Sequence, residues 1–336
     1  MDSNLKKVSI DNIGSDLKKP TVKDFPRTLL RGVGQVMFQD NMWTGLLFLA
    51  GVFWGSYQEG SPLVCWGCLV GVFVSTLTGY ILRLPDTGGA NGLWGFNGAL
   101  VGCAFPTFLG ATFWMWAGLV ICSALSTIAR SGMDNILGRW NMSSFTFPFV
   151  FTTWIFLLSA RVFDGFPAVD MGTPEFPHLD PAKTAWSMPL EFGDLILYWL
   201  RGISQVFLIK SWVCGIFFLV ALAISNWRAA MWAAIASAIS LFIAIIWKGP
   251  GMDIANGLYG FSAVLTGIAL GATFCNFSWK AAIWTVCGII ATVFIQAAMN
   301  VFFSPMGLPT LTGPFCVATW IFLFPAYKFF IPAPDK

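Results

Sequence analysis

The sequence carries one short segment twice, as NGLWGFNGALVG at residues 91–102 and as NGLYGFSAVLTG at residues 256–267. Seven of the twelve positions are identical, and the two copies lie 165 residues apart. Each copy follows a stretch rich in helix-breaking residues and opens with an Asn-Gly pair ahead of an apolar run. Because asparagine is favoured at helix N-caps, we expect Asn91 and Asn256 to cap the N-termini of two half-helices.

Two further markers recur in the same order. RGVGQV at 31–36 returns as RGISQV at 201–206, and FTFP at 145–148 returns as LTGP at 311–314. The latter two are each followed, after four residues, by TWIFL. Three markers at nearly constant offset indicate an internal duplication of the chain.

The composition indicates a helical protein that crosses a membrane several times. Of the 336 residues, 57% are hydrophobic and 10% are charged, whereas soluble domains are about 25% charged. Residues 63–82 form a run of twenty without a charge, enough for one spanning helix of about 20 residues. The net charge of +3 gives no reason to expect a nucleic-acid partner. The one histidine and the scattered cysteines give no reason to expect a metal or a cofactor.

Each half divides into six apolar elements. In the first half they lie near 28–40, 43–57, 63–82, 91–109, 112–129 and 145–160. In the second half they lie near 195–209, 212–225, 229–247, 256–274, 279–302 and 311–330. We therefore divide the chain into a polar N-terminal tail (1–27), a first transmembrane repeat (28–160), a polar linker (161–194), a second transmembrane repeat (195–330) and a C-terminal tail (331–336).

The basic residues predict the orientation. Residues 1–31 contain seven Lys and Arg, whereas the linker contains two, so both termini should be cytoplasmic and the linker extracytoplasmic. Each half then crosses the membrane an odd number of times, which makes the halves inverted and requires one of the six elements to enter and return. We expect that element to be the Asn-Gly segment. The alternative is a spanning helix packed through its small residues, Gly95, Gly98 and Gly102.

The motifs resemble those of the urea transporter family. The similarity lies in LRGVGQVMFQDNMWTGLLFLAG at 30–51, in the paired Asn-Gly segments, and in SFTFP and LTGP with their TWIFL continuations, and it spans about 29–327. It implies a homotrimer in the plasma membrane, or in the inner membrane of a bacterium, with one pore per protomer. Each half would supply five spanning helices and one re-entrant half-helix. Urea would pass down its gradient, in a channel-like manner, through a narrow slot.

The chemistry of urea indicates which residues should line such a slot. Urea is planar and neutral, and each N–H that loses its water partner costs about 1–3 kcal/mol. Acceptor oxygens along the slot remove that cost, while apolar walls contact the flat faces and deprive ions of their hydration. Polar, uncharged residues inside the repeated motifs are therefore the candidates.

Two pairs meet this description. Gln35 and Gln205 are amides within apolar stretches and would offer carbonyl oxygens, although such residues also join helices to one another. Thr146 and Thr312 each lie two residues before a proline, which should free a backbone carbonyl beside the hydroxyl. Their alternative role is a bond back to their own helix. The resemblance places the threonines at the mid-pore constriction.

The predicted walls are apolar residues at matching positions of the two halves, namely Phe96 with Phe261, Leu100 with Leu265, and Phe38 with Leu208. Leucine in place of phenylalanine in the last pair predicts that the two mouths differ. The paired Arg31 and Arg201 should anchor helix ends, because a cation in the slot would compete for the acceptors.

Other functions fit the sequence less well. An ammonium channel relies on pore histidines, whereas the only histidine, His178, lies in the linker. An ion-coupled symporter normally needs an intramembrane carboxylate, and Asp40, Glu191 and Asp194 lie at element ends. An enzyme would need a nucleophile–base pair or a metal cluster. A channel for water, ammonia or short amides remains the alternative.

Overall fold

The computed structural model of the chain describes residues 24–84, 88–176 and 188–329. Most of the predicted N-terminal tail, the middle of the linker with His178, and the C-terminal tail lie outside the described residues. Within them the chain folds into the helices α1 (Phe25–Gln35), α2 (Met42–Gln58), α3 (Leu63–Leu82), α4 (Phe96–Phe108), α5 (Phe113–Leu137), α6 (Phe147–Ser159), α7 (Phe192–Ser204), α8 (Trp212–Ser225), α9 (Trp227–Ile246), α10 (Gly251–Ala255), α11 (Phe261–Ile268), α12 (Trp279–Phe303) and α13 (Gly313–Phe329).

The expectation of an all-helical chain with several spans is confirmed. In the part of the chain that the structure describes, four helical stretches are long and apolar enough to cross a membrane, namely Leu63–Leu82, Phe113–Trp140, Trp227–Ile246 and Trp279–Met306. α7 and α8 reach that length only as a pair, and their axes are bent by 71°. α4, α6, α11 and α13 present shorter apolar stretches.

Two predicted boundaries differ from the helices. The first element, predicted to run to 40, ends as a helix at Gln35, because Phe38 takes a left-handed φ of 62° that no α-helix accommodates. The fifth element, predicted to end at 129, continues as α5 to Leu137. Arg130 and Asp134, which lie beyond the predicted end, are therefore helical.

The duplication extends to the backbone conformation. Left-handed residues recur in pairs at matching positions of the two halves, namely Phe38 and Leu208, Arg83 and Lys248, Gly92 and Gly257, Asn141 and Gly307, and Phe145 and Leu311. In the first and last pairs the φ angles agree closely, at 62° and 60° and at 50° and 50°. A left-handed φ is uncommon for residues other than glycine, so five matched pairs mean that the two halves turn in the same way.

α2 and α8 occupy matching places in the two halves and pack on each other reciprocally. The Thr44 hydroxyl donates to the Ala221 carbonyl (2.9 Å), and the Cys214 thiol donates to the Gly51 carbonyl (2.8 Å). Thr44 matches Cys214 in the duplication, and Gly51 matches Ala221. Reciprocal contacts of this kind arise from a two-fold arrangement. Because the start of each helix lies against a later part of the other, the two helices run antiparallel.

The predicted small-residue face of α4 is confirmed as a packing surface. A Cβ atom at Gly98 would overlap the carbonyl oxygen of Gly71 on α3, and one at Gly102 would overlap that of Gly67. Small residues at this interface let the two backbones approach closely. This contact fixes α4, and with it the residues that sequence reasoning assigned to a slot wall.

Candidate functional site

The structure corrects the predicted role of Asn91 and Asn256. α4 begins at Phe96 and α11 at Phe261, and neither helix has a side-chain cap. Asn91 ends a short 3-10 helix, and Asn256 follows the last residue of α10. The physical reason is the glycine after each asparagine, whose φ of 88° or 77° makes a left-handed turn before the helix can start. The repeated Asn-Gly pair is therefore a turn and not an N-cap.

Each Asn-Gly turn is bonded to a predicted slot glutamine. The side-chain nitrogen of Gln35 donates to the backbone carbonyl of Asn91 (2.9 Å), and that of Gln205 donates to the carbonyl of Asn256 (2.9 Å). Because the nitrogen of each amide is engaged, its carbonyl oxygen remains as an acceptor. The two glutamines thus bond to matching asparagine carbonyls, and each keeps its side-chain oxygen as an acceptor.

The paired arginines hold the same turns, in agreement with an anchoring role. Arg31 donates to the carbonyl of Ala90 (3.3 Å), and Arg201 donates to that of Ala255 (2.8 Å). A Cβ atom at Gly92 would overlap the backbone of Arg31, and the matching glycine of the second half meets Arg201 in the same way. Glycine is therefore required at this turn for its φ and for the close approach to α1 and α7.

The two predicted constriction threonines are in direct contact. The hydroxyls of Thr146 and Thr312 lie 2.6 Å apart, both residues are 3% exposed, and Cys316 Sγ is 3.4 Å from Thr146 Oγ1. The expected effect of the prolines is wrong. Pro148 lies in the first turn of α6, as does Pro314 in α13, where proline removes no helical hydrogen bond.

The predicted wall residues of α4 and α11 are buried in one apolar cluster. Phe96 and Phe261 are 6% and 8% exposed, and Leu100 and Leu265, one turn further along each helix, are 1% and 0% exposed. The matching side chains therefore have matching environments. The structure places both pairs in the interior and not on the outer, lipid-facing surface.

Phe38 and Leu208 lie at the left-handed turns after α1 and α7, in unequal surroundings. The Phe38 ring contacts the rings of Phe145 (6.2 Å between centroids), Phe274 (5.7 Å) and Phe315 (5.9 Å). The positions that match these four in the other half are Leu208, Leu311, Leu109 and Phe149. Three of the four rings are thus replaced by leucine, which extends the asymmetry predicted from Leu208 alone.

Sequence reasoning missed an ion pair beside the site, between a buried arginine and a partly exposed aspartate. Arg130, which is 6% exposed, lies 3.0 Å from the carboxylate of Asp134, and its guanidinium carbon is 5.7 Å from the centre of the Phe96 ring. The carboxylate also accepts from the backbone N–H of Ser144 (2.7 Å). The signal was an opposite-charge pair at i, i+4, the spacing that brings helical side chains together.

The carboxyls of Asp253 and Glu59 lie outside the four stretches that are long enough to span a membrane. Burial raises the pKa of Asp253 in α10. Burial also raises the pKa of Glu59, after α2, and the nearby Lys210 opposes this shift. Among the described residues no cluster of histidine, cysteine and acidic side chains is placed to hold a metal ion.

Apolar spans around a buried site of paired, uncharged oxygens define the chain as an integral membrane protein. A family model described as "Urea transporter" matches residues 27–327. The chain belongs to the urea transporter family and is a transport protein, not an enzyme.

Curated relatives carry the same description. The chain is 28% identical over 316 residues to "Urea transporter 1" of Ovis aries, 29% over 310 residues to that of Rattus norvegicus, and 30% over 311 residues to that of Mus musculus. Each alignment covers 91% of this chain and 78% of the relative.

Proposed function

We propose that the chain moves urea across a membrane passively, down its gradient, through a slot within each protomer. Family membership supports urea as the permeant. The observation that carries the mechanism is the contact between Thr146 and Thr312, which joins uncharged oxygens of the two halves at a buried position. A pore of this kind needs no cofactor.

The slot chemistry follows from side chains at matching positions. The free oxygens of Gln35 and Gln205 and the hydroxyls of Thr146 and Thr312 accept hydrogen bonds from urea as it leaves water. The other walls are apolar and contact its flat faces, namely Phe96, Phe261, Leu100, Leu265, Phe38 and Leu208. A cation would lose its hydration and gain no charged partner, so ammonium is excluded.

The two repeats, 28–160 and 195–330, are inverted relative to each other. The antiparallel contact of α2 with α8 supports this, because matching helices of parallel repeats would point the same way. We assign the re-entrant element to α1 and α7 and not to the Asn-Gly segments. The turn after α1 is inside the protein, with Val36 and Met37 at most 1% exposed, and α7 meets α8 at 71°. A buried turn is what a half-helix that returns on its own side requires.

The orientation places both termini in the cytoplasm and the linker 161–194 on the other side of the plasma membrane, or of a bacterial inner membrane. The basic residues of the tail support this assignment. Three copies of the chain associate with one pore in each, as the family resemblance implies. Each protomer is surrounded by lipid or by its neighbours, in keeping with its many exposed aromatic and aliphatic side chains.

Stopped-flow light scattering on proteoliposomes tests the function. Vesicles that contain the protein should equilibrate an imposed urea gradient faster than empty vesicles, and the rate should be independent of proton or sodium gradients. Equal rates in the two preparations would refute urea transport. Faster passage of water, ammonia or formamide than of urea would favour the alternative of a different small solute.

Cysteine labelling tests the orientation. With the exposed Cys287 replaced by serine, a cysteine at Asp170 in the linker should react with an impermeant maleimide on intact cells. A cysteine at Ser3 in the tail should react only after the cells are made permeable. The reverse pattern would overturn the assignment of the termini.

A further inference from the structure

The ion pair on α5 is the feature that the proposed transport mechanism does not use. Arg130 and Asp134 lie inside the stretch Phe113–Trp140, which is long enough to span the membrane. Arg130 is buried, and a buried charge within such a stretch is costly unless it is paired; charges in such positions commonly serve a function. The pair touches two parts of the slot, since Arg130 lies over Phe96, and Asp134 accepts from Ser144, two residues before Thr146.

The second half carries a neutral version of the same arrangement. Gln296 and Asn300 occupy on α12 the positions that Arg130 and Asp134 occupy on α5. Gln296 donates to the carbonyl of Leu258, and the hydroxyl of Thr310, the counterpart of Ser144, donates to Asn300 (3.2 Å). α12, which matches α5, thus contacts the turn before α11 and the segment before Thr312 through neutral groups. Stability alone does not explain an ion pair in the first half, because neutral groups can meet the same need.

We propose that the Arg130–Asp134 pair is a positioning element of the slot, which rests on the proposed urea pathway. It fixes the Phe96 wall relative to the turn that carries Thr146, and so sets how well the slot rejects amides larger than urea. The guanidinium packs on one face of the Phe96 ring and limits how far the ring can move away from a passing solute. Because interiors are close-packed, a small shift of that ring changes the width of the slot.

The test compares two variants of the pair. Arg130→Gln leaves the partly buried carboxylate of Asp134 without its guanidinium partner, so the unfolding temperature should fall. Arg130→Gln/Asp134→Asn copies the neutral pair of the second half, so the unfolding temperature should recover. Neither variant has a guanidinium on Phe96, so selectivity should be altered in both. A role in stability alone predicts that selectivity is unchanged in both variants.

The readout is the ratio of the permeabilities of urea and N,N′-dimethylurea in proteoliposomes. We expect the ratio to fall by about threefold in both variants, less than the roughly tenfold that one methylene is worth in a fitted pocket. Arg139→Gln, which removes an exposed arginine just after α5, is the matched control and should leave the ratio unchanged.

A wild-type permeability ratio in the double variant overturns the proposal. The double variant alone is sufficient for this test if the single variant does not fold. Wild-type vesicles are measured first, so that a failure of the urea pathway is distinguished from a failure of the positioning role. No urea flux in wild-type vesicles refutes the pathway. Normal flux with an unchanged ratio in the double variant refutes only the inference about the ion pair.

Discussion

Replacing the paired threonines by valine separates their part in transport from their part in stability. The two hydroxyls lie 2.6 Å apart and are almost fully buried, so each satisfies the other when the slot is empty. Valine keeps the branched shape of threonine and removes only the hydroxyl. The single variants Thr146→Val and Thr312→Val and the double variant therefore test hydrogen bonding without a large change in volume.

The three variants should rank differently by stability and by rate of urea transport. In Thr146→Val the Thr312 hydroxyl is buried without its partner, which costs about 1–3 kcal/mol of unfolding free energy, whereas in Thr312→Val the Thr146 hydroxyl keeps its contact with Cys316 Sγ and the loss should be smaller. In the double variant both partners are gone, and a like-shaped apolar pair is nearly neutral for stability. Transport instead loses one acceptor for urea per substitution, at about 1 kcal/mol in the barrier, so the rate should fall roughly fivefold in each single variant and about thirtyfold in the double variant.

Thermal unfolding in detergent measures the stability of each variant. Stopped-flow urea flux, normalised to the amount of folded protein, measures its transport rate. The account predicts that the double variant is more stable than Thr146→Val and transports urea more slowly than both single variants. Wild-type flux in the double variant would show that the threonine hydroxyls do not bind urea during transport. Flux that falls in step with stability across the three variants would show that the threonines have only a structural role.

Three further predictions follow from the packing. Gly92→Ala should lower the free energy of unfolding by more than about 1 kcal/mol, because alanine is strained at φ 88° and its Cβ meets the α1 backbone. Gly60→Ala, at φ 70° in open space, should show a smaller loss in thermal unfolding, and equal losses would contradict the close approach. Gln205→Met removes an acceptor and should slow urea roughly fivefold in stopped-flow assays while water passes unchanged, whereas equal slowing of both would indicate a structural role. Gly55→Cys should form a disulfide with Cys214, since a Cβ atom at Gly55 would meet that sulfur. After cleavage of the linker, the two halves should then stay joined on a non-reducing gel, and their separation would contradict the antiparallel contact.

The helical elements were predictable because the membrane requires long apolar runs, and such runs are visible in a single sequence. The duplication was equally visible, and matched turns such as Phe38 and Leu208 carry it into the backbone. Thr146 and Thr312 are in contact, while their place at a mid-pore constriction stays a prediction. The bonds from Gln35 and Gln205 to the asparagine carbonyls were not predicted, because they depend on a turn that only the tertiary packing defines.

The errors have identifiable physical causes. The sequence predicts an N-cap at Asn91 because asparagine is favoured there, but the left-handed glycine after it delays the start of the helix to Phe96. The end of α5 was placed too early because Arg130 and Asp134 break the apolar run. Their ion pair removes much of the cost of burying Arg130, and the spacing of four residues was the available signal.

The central claim is that urea crosses between the two halves at the Thr146–Thr312 contact. The most direct test is an experimental structure determined at high resolution in saturating urea. The account predicts a planar density between Phe96 and Phe261, with an N–H about 3 Å from a threonine hydroxyl oxygen. Urea bound elsewhere, with these phenylalanines facing lipid, would contradict it.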